Sequence, residues 1–280
     1  MRFIFLGTGT SSGVPVIGCA CAVCTSADPR DRRLRTGAAL EFTDPQGRPR
    51  TILIDATPDL RQQVLERRIG RCDAVLFTHN HVDHTFGLDD IRRFNALQGG
   101  PIDVFADGHT LEHLRRVYKH IFEKEHNVND SFVATLIAHA VAPGEPFDLF
   151  GLRITPLRLL HGRAEILGYR FDPPPGSPAG PLPLAYCTDV NAIPPETWPR
   201  LRGLRTLVLD ALRHRRHPTH FTVDEAVGVA ERLSPQRTYF IHMTHDLPHE
   251  ATDRSLPDGV RLAYDGLTLD GPGDVPSTAS

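Results

Sequence analysis

Thr78-His79-Asn80-His81-Val82-Asp83-His84 follows directly on the apolar run Ala74-Val75-Leu76-Phe77. Four of these side chains can bind metal ions, in the spacing H-x-H-x-D-H, and imidazole and carboxylate are preferred ligands of zinc, manganese and iron. The two histidines of the H-x-H part project to the same side of an extended segment, whereas the D-H pair follows where the chain turns. The stretch therefore predicts a buried strand that leads into a loop wrapped around two adjacent metal ions.

Three further apolar runs end close to a residue that can bind a metal. These residues are His161, Asp189 and His242. Because strand ends in a layered fold gather at one edge, we expect them to reach the same cleft as the loop 78–84. Asp55 follows the predicted strand Thr51–Ile54. We expect its carboxylate to interact with a metal-ligating histidine without binding the metal itself.

The five cysteines comprise one cluster and two isolated residues, which does not resemble a disulfide framework. The cluster lies in Gly18-Cys19-Ala20-Cys21-Ala22-Val23-Cys24. Its C-x-C-x-x-C spacing can bring three thiolates to one ion, which leaves a tetrahedral structural zinc one ligand short. We expect a distant His or Cys to complete the site, with reduced cysteines in a loop as the alternative.

Length and charge exclude several classes of protein. A chain of 280 residues fits a single domain, here expected over 1–270, with a disordered tail at 271–280. The 31 Lys and Arg against 34 Asp and Glu give a net charge of −3, so long nucleic acid is not favoured as a partner. Because the sequence contains neither a signal peptide nor an apolar span of membrane length, we expect a soluble, cytoplasmic protein without a membrane partner.

Two segments near the N-terminus are interpreted as loops. Gly7–Gly13 is expected to form a tight turn close to the metal loop, because its G-x-G-x-x-x-G spacing, followed by Val14-Pro15, does not fit a nucleotide-binding loop. The basic run Arg30–Arg35 is most simply a solvated loop, although arginines near a metal site could also bind a phosphate.

Three segments of the later chain complete the expectations. Arg213–His220 is either a solvated charge run or an anion-facing lid that presents His220, before a helix starting near Thr222. The helix Thr110–Phe122 carries His113 and His120, which we expect to be surface or packing residues rather than metal ligands. Arg261–Asp270 is expected to form a terminal hairpin.

The H-x-H-x-D-H loop and the strand-end residues resemble those of the metallo-β-lactamase family. Within it, the glycine turn, the cysteine cluster and the closing motif His242-Met243-Thr244-His245 are similar to those of phosphoribosyl 1,2-cyclic phosphate phosphodiesterases of phosphonate breakdown. The resemblance implies an α/β (α+β) fold, a four-layer αβ/βα sandwich with a two-metal active site and a separate structural zinc. Gly87–Arg92 departs from those enzymes, which leaves the substrate open.

The resemblance also implies a role for each residue. One manganese or zinc ion would be held by His79, His81, His161 and Asp189. The other would be held by Asp83, His84, His242 and the shared Asp189. The structural zinc would use Cys19, Cys21, Cys24 and His245. His220 would be the general acid, and Asp83 would also take part in catalysis.

The sequence is therefore interpreted as a dinuclear metal-dependent phosphodiesterase that hydrolyses a small cyclic phosphate by attack of a metal-bound hydroxide. One alternative is a nuclease or a thioester or lactone hydrolase of the same fold, although a nuclease would want a basic RNA-binding arm. Another is a non-catalytic metal-binding protein of cofactor biosynthesis. The expected partner is a small phosphorylated substrate, and the interpretation leaves room for a homodimer.

Overall fold

The strands of the computed structural model, which describes residues 1–123, 132–174 and 180–271, form two seven-stranded sheets. In the first sheet the order is β14 (Thr268–Leu269), β1 (Arg2–Gly7), β2 (Gly37–Thr43), β3 (Pro49–Ile54), β4 (Ala74–Leu76), β5 (Ile102–Ala106) and β6 (Leu136–Ala140). In the second sheet it is β13 (Val260–Leu262), β12 (Arg237–Ile241), β11 (Thr206–Asp210), β10 (Leu184–Cys187), β9 (Ala164–Asp172), β8 (Leu152–His161) and β7 (Phe147–Leu149).

Helices flank both sheets and connect their parallel strands. The α-helices are α1 (Leu60–Glu66), α2 (Val82–Thr85), α3 (Arg92–Gln98), α4 (Gly108–Val117), α5 (Lys119–Phe122), α6 (Val223–Leu233) and α7 (His249–Ser255). Short 3₁₀ turns cover Pro29–Asp31, Leu88–Ile91 and Trp198–Leu201.

Alternating side chains in the strands place one core between the sheets and one on each outer face. In β1, Phe3 and Phe5 point to the other sheet, where Phe5 meets the ring of Tyr239 at 5.6 Å, whereas Ile4 and Leu6 point to the helices. This period of two is the pattern of a strand that is buried on both faces. Outside the second sheet, α6 packs its apolar side on a third core. The layers run helix, sheet, sheet, helix, which confirms the four-layer sandwich.

The direction of the strands decides where the polar residues collect. β3 to β6 are parallel to one another, and so are β10 to β13. The loops that leave the carboxyl ends of parallel strands emerge at the same edge, which is where such folds bind ligands. The loop after β4 and the residues after β10 and β12 therefore meet in one cleft.

Three expectations about individual segments need correction. Arg261–Asp270 is not a hairpin, because β13 pairs with β12 in the second sheet while β14 pairs with β1 in the first. The expected helix Thr110–Phe122 is divided into α4 and α5 at Tyr118. The basic run is not a solvated loop, since Arg33 is fully buried and donates hydrogen bonds to the carbonyl oxygens of Thr244 (2.7 Å) and Leu247 (2.6 Å).

The glycine turn is hydrogen-bonded to the segment that follows β12. The amide of Thr10 donates to the carbonyl of Met243 (3.1 Å), and the amide of Met243 donates to Thr8 (2.9 Å). A Cβ on Gly9 would lie 2.7 Å from the carbonyl oxygen of Arg33, so only glycine permits this approach. The turn therefore supports the segment after β12, next to His242.

Two further expectations concern the C-terminal tail and membrane-spanning segments. The expected tail lies outside the described residues, apart from Gly271. No helix in the described part of the chain has the length and apolarity to cross a bilayer.

Candidate metal centre

The loop after β4 and the strand ends of the second sheet bring two groups of donor atoms together. The first group is His79, His81 and His161, and the second is Asp83, His84, Asp189 and His242. In each group the donor atoms lie within 4.8 Å of one another. All seven are residues that the sequence proposed as active-site ligands, and all except His81 are buried. The structure thus assembles the whole predicted ligand set in one cleft.

Asp189 lies between the two groups. One of its oxygens is 3.3 Å from Nε2 of His84, and the other is 3.2 Å from Nε2 of His242 and 3.9 Å from Nε2 of His79. A carboxylate whose oxygens lie near donor atoms of both groups has the geometry of a shared ligand. This is the position that the family resemblance assigned to Asp189.

The positions of the donor atoms are better suited to metal coordination than to hydrogen bonds among the donors. Nε2 of His79, His84 and His242 are all buried and have no hydrogen-bond partner in the described ranges. A buried polar atom without a partner costs free energy, and native proteins rarely leave one unless it serves a ligand or a reaction. These three nitrogen atoms are therefore suited to coordinate ions.

Three of the other ring nitrogens are held by the protein. Nδ1 of His84 lies 2.7 Å from Oδ2 of Asp55, which confirms the expected supporting role of that carboxylate. Nδ1 of His161 donates to the carbonyl of Thr219 at 2.8 Å, and Nδ1 of His79 lies 3.0 Å from Oγ1 of Thr78. Such contacts fix the ring orientation and leave Nε2 free for a metal.

Burial and neighbouring charges shift the pKa values of the two donor groups in different directions. Burial alone would lower the pKa of His84, but the carboxylates around it, led by Asp189, raise it well above its usual value. Burial alone would raise the pKa of Asp189, but His242 and His84 hold it well below its usual value. Burial, together with the charge of His84, keeps the pKa of His79 well below its usual value. His79 is thus a neutral imidazole, the form that binds metals.

His220 lies against both donor groups. Its ring centroid is 4.7 Å from that of His161 and 4.8 Å from that of His242, with the second pair stacked. Nδ1 of His220 lies 2.7 Å from Oδ2 of Asp210, so Nε2 is the ring nitrogen left for another partner. Burial, with the positive charge of His242 nearby, lowers the pKa of His220 to about 3.

Asp210 is a candidate functional residue that the sequence analysis did not assign. It ends β11, is fully buried, and also accepts a hydrogen bond from the amide of Val190 at 2.9 Å. Burial raises the pKa of its carboxyl well above its usual value. The available signal was its position, since β11 ends in Asp just as β10 leads to Asp189, but nothing in the sequence paired it with His220.

The cysteine cluster forms a separate site with a histidine from the far end of the chain. Sγ of Cys19, Cys21 and Cys24 lie 3.3, 3.4 and 3.4 Å from Nδ1 of His245. Adjacent sulfur and nitrogen ligands of a tetrahedral zinc are about 3.6 Å apart, so this arrangement fits zinc closely. A hydrogen bond from the Cys24 amide to Sγ of Cys21 lowers the pKa of that thiol to about 6, which favours the thiolate that binds metal.

Comparisons with known proteins identify the family to which the chain belongs. The family model "Beta-lactamase superfamily domain" matches residues 50–243. A crystal structure of a new diphosphatase from the PhnP family has a TM-score of 0.84 and 43% sequence identity, covering 96% of this chain and 97% of that one. Zn²⁺-bound PqqB from Methylobacterium extorquens has a TM-score of 0.74 at 22% identity, covering 96% of this chain and 100% of that one, a likeness of fold alone.

Among curated proteins, the chain is 37% identical over 269 residues to a protein from Porphyromonas gingivalis named octanoyltransferase. The match covers 95% of this chain but 51% of that protein, so the chain spans about half the length of this relative. With the fold, the two donor groups and the family match together, the chain belongs to the β-lactamase superfamily and is a metal-dependent hydrolase of the metallo-β-lactamase fold.

Proposed function

We propose that this hydrolase is a phosphodiesterase that opens a small cyclic phosphate, with two manganese or zinc ions in the active site and one structural zinc at the cysteine cluster. The observation that carries the proposal is the pair of adjacent donor groups with Asp189 between them and His220 against both. When bound, two such ions would activate water and neutralise charge on a phosphoryl oxygen. A small phosphorylated molecule is the partner that this cleft suits.

The protein's own residues would orient the reactants and move protons. His220 would donate a proton to the oxygen that leaves phosphorus, because Asp210 occupies its Nδ1 and so directs the free Nε2 to the substrate. Asp83 would accept a hydrogen bond from the attacking water, since the charge of His84 keeps the pKa of this carboxyl low in spite of its burial. An anionic substrate beside His220 would raise the pKa of that imidazole and favour its protonated form.

A second candidate function is hydrolysis of a diphosphate, which is favoured by the 43% identity to the PhnP-family diphosphatase. The two reactions differ in the leaving group. An alkoxide leaves poorly without a proton, whereas a phosphate leaving group is a much weaker base and needs less help. The buried His220–Asp210 pair therefore supports the ester over the anhydride.

Hydrolysis rates across a panel of substrates test the proposal. We expect the metal-loaded protein to prefer small cyclic phosphates over diphosphates, linear diesters and thioesters. His220→Ala should slow the cyclic phosphate by on the order of 10²–10⁴-fold, with a much smaller effect on a nitrophenyl diester. Exposed His214→Ala, on the same loop as His220, provides the control. A preference for diphosphates with little effect of His220→Ala would favour the second candidate, and a preference for thioesters would contradict both.

A further inference from the structure

A groove with a cavity volume of about 540 Å³ lies between α1 and α3, in the helical layer that covers the first sheet. Its floor consists of the buried side chains of Leu60, Ile69 and Phe94. Leu65 and Leu97 line it as well, and they are 59% and 54% exposed. The volume lies within the range of roughly 300–1,000 Å³ that is typical of small-molecule sites. The described lining contains none of the candidate metal ligands.

Helical spacing sorts the lining residues of α1 into two rows. Leu60 and Val64 are four residues apart and pack toward the sheet, whereas Arg61 and Leu65 form the neighbouring row at the mouth of the groove. Arg68 follows the helix in a left-handed backbone conformation (φ 55°), which favours glycine, and here the position carries an arginine that lines the groove. The groove is therefore apolar at its floor and basic at its mouth.

Three arginines of the groove have no counter-charge. Arg61, Arg68 and Arg93 are exposed, and none of them has an ion-pair partner among the described residues. Asp90 is the acidic residue of the described lining, so positive charge exceeds negative charge there. Guanidinium groups form strong, charge-assisted hydrogen bonds with carboxylates. The mouth of the groove is therefore complementary to a negatively charged group.

Charge and size also separate the possible occupants. Nearby acidic residues are paired outside the groove, Glu66 with Arg67 at 3.4 Å and Asp89 with Arg92 at 3.3 Å. A second copy of the chain on this face would bring its own unpaired arginines against those of the first, which is unfavourable across an interface. Both helices have seven residues, so the groove is only about 10 Å long. A small anionic molecule therefore suits it better than another protein surface.

Backbone contacts join the groove to the metal loop and fix its shape. The amide of Gly87 donates to the carbonyl oxygen of Ala56 at 2.8 Å, and the amide of Ala56 donates to that of His84 at 2.8 Å. A Cβ on Gly87 would lie 2.0 Å from the carbonyl oxygen of Thr57, so a side chain here would prevent this approach. These contacts hold the segments that lead into α1 and α3. The groove is thus preformed, which lowers the entropic cost of binding a ligand.

We propose that this groove is a binding site for a fatty acid, that is, a free carboxylate with one alkyl chain of medium length. The alkyl chain lies on the apolar floor, where its burial is favourable, and the carboxylate accepts hydrogen bonds from the arginines at the mouth. This ligand is distinct from the substrate of the proposed phosphodiesterase, because the groove lies outside the metal centre.

Three small molecules separate the contributions of chain and charge. Decanoate has both features, decyltrimethylammonium has the same alkyl chain with the opposite charge, and acetate has the carboxylate without the chain. Calorimetric titration uses the metal-loaded protein, below the micelle concentrations and with excess acetate to occupy carboxylate sites on the metal ions. Decanoate should bind saturably, and decyltrimethylammonium should bind at least about tenfold more weakly.

Substitutions at exposed positions locate the site without disturbing the core. The double variant Arg61→Glu, Arg93→Glu should weaken decanoate binding at least about tenfold and strengthen binding of decyltrimethylammonium. Leu97→Gln, which removes apolar surface from the groove, should weaken the binding of decanoate about threefold or more. Arg153→Glu, an exposed charge reversal on β8 of the second sheet, is the control and should change neither affinity. Circular dichroism shows whether each variant is folded.

Several results would overturn the inference. These are the absence of saturable decanoate binding, equal affinities for the two charged probes, and an equal loss in Arg153→Glu. Sedimentation velocity tests the alternative occupant, since a dimer that excludes decanoate and dissociates in Leu97→Gln would show that a second copy covers the groove. Binding to phosphatidylglycerol vesicles without binding of free decanoate would assign the groove to a membrane surface instead. All of these measurements are independent of whether the protein hydrolyses cyclic phosphates.

Discussion

At the scale of single residues, the site depends on non-glycine residues in a left-handed backbone conformation. Asp55, Asp189 and His242 have φ angles of 63°, 55° and 61°. Each follows closely on a strand end, where the reversed backbone turns a side chain into the cleft. Such a conformation costs on the order of 1–3 kcal/mol and persists where surrounding contacts determine it, often at functional sites. The strain therefore coincides with the candidate ligands and with the carboxylate that supports one of them.

Asp189 should be essential for the active-site metals. Asp189→Ala removes the carboxylate that faces both donor groups, so turnover should fall by more than about 10²-fold and active-site metal occupancy should drop. Metal analysis and activity measurements check this, with circular dichroism to show that the variant is folded. Asp258→Asn, exposed on the surface, is the control. Retention of both metals and of activity would remove Asp189 from the site.

Asp210 should act through His220 rather than on the substrate. Asp210→Asn weakens the hold on Nδ1 of His220, so the variant should resemble His220→Ala in slowing alkoxide leaving groups more than nitrophenolate. The expected loss on a cyclic phosphate is on the order of 10²-fold, at the lower end of proton-transfer contributions. The double variant should be little worse than His220→Ala alone. If the two losses multiply, the residues act independently.

At the scale of elements, the cysteine site joins distant parts of the chain. The loop that carries the cysteines follows β1, whereas His245 follows β12. The buried Arg33 donates hydrogen bonds to backbone carbonyl groups on both sides of His245. The C-x-C-x-x-C spacing could predict three of the ligands because their approach is local. The fourth is 221 residues from Cys24, and only the family resemblance pointed to it.

Cys21→Ser should remove one zinc ion per chain and lower the melting temperature by on the order of 5–10 °C, because a zinc ion held at this site would couple its binding to folding. Metal analysis and thermal unfolding measure the two effects. Ala22→Ser, which introduces the same hydroxyl at the neighbouring exposed position, should change neither. A disulfide between Cys19 and Cys24 in freshly purified protein would contradict the zinc assignment.

At the scale of the whole molecule, sequence patterns predicted the features that a single strand or loop determines. They missed the contacts that depend on which of the two sheets a strand joins. Apolar runs followed by polar residues located the cleft, because parallel strands end at one edge whichever sheet they join. The same local pattern cannot tell that β13 and β14 lie in different sheets, which is why the hairpin prediction was wrong. Arg33 was misjudged because charge suggests exposure, and the carbonyl groups that satisfy it come from 211 and 214 residues away.

The active-site ions should also stabilise the molecule as a whole, because their candidate ligands come from both sheets. The loop 78–84 follows β4 of the first sheet. In the second sheet, His161 ends β8, and Asp189 and His242 follow β10 and β12. Ions that bind the folded chain alone stabilise it by RT ln(1 + [L]/Kd), about 4 kcal/mol at a thousandfold excess over Kd. Thermal unfolding should therefore shift upward with metal concentration in the wild type and in Cys21→Ser, which keeps the active site, but not in Asp189→Ala. An equal shift in all three proteins would show that the ions stabilise the fold without bridging the sheets at this site.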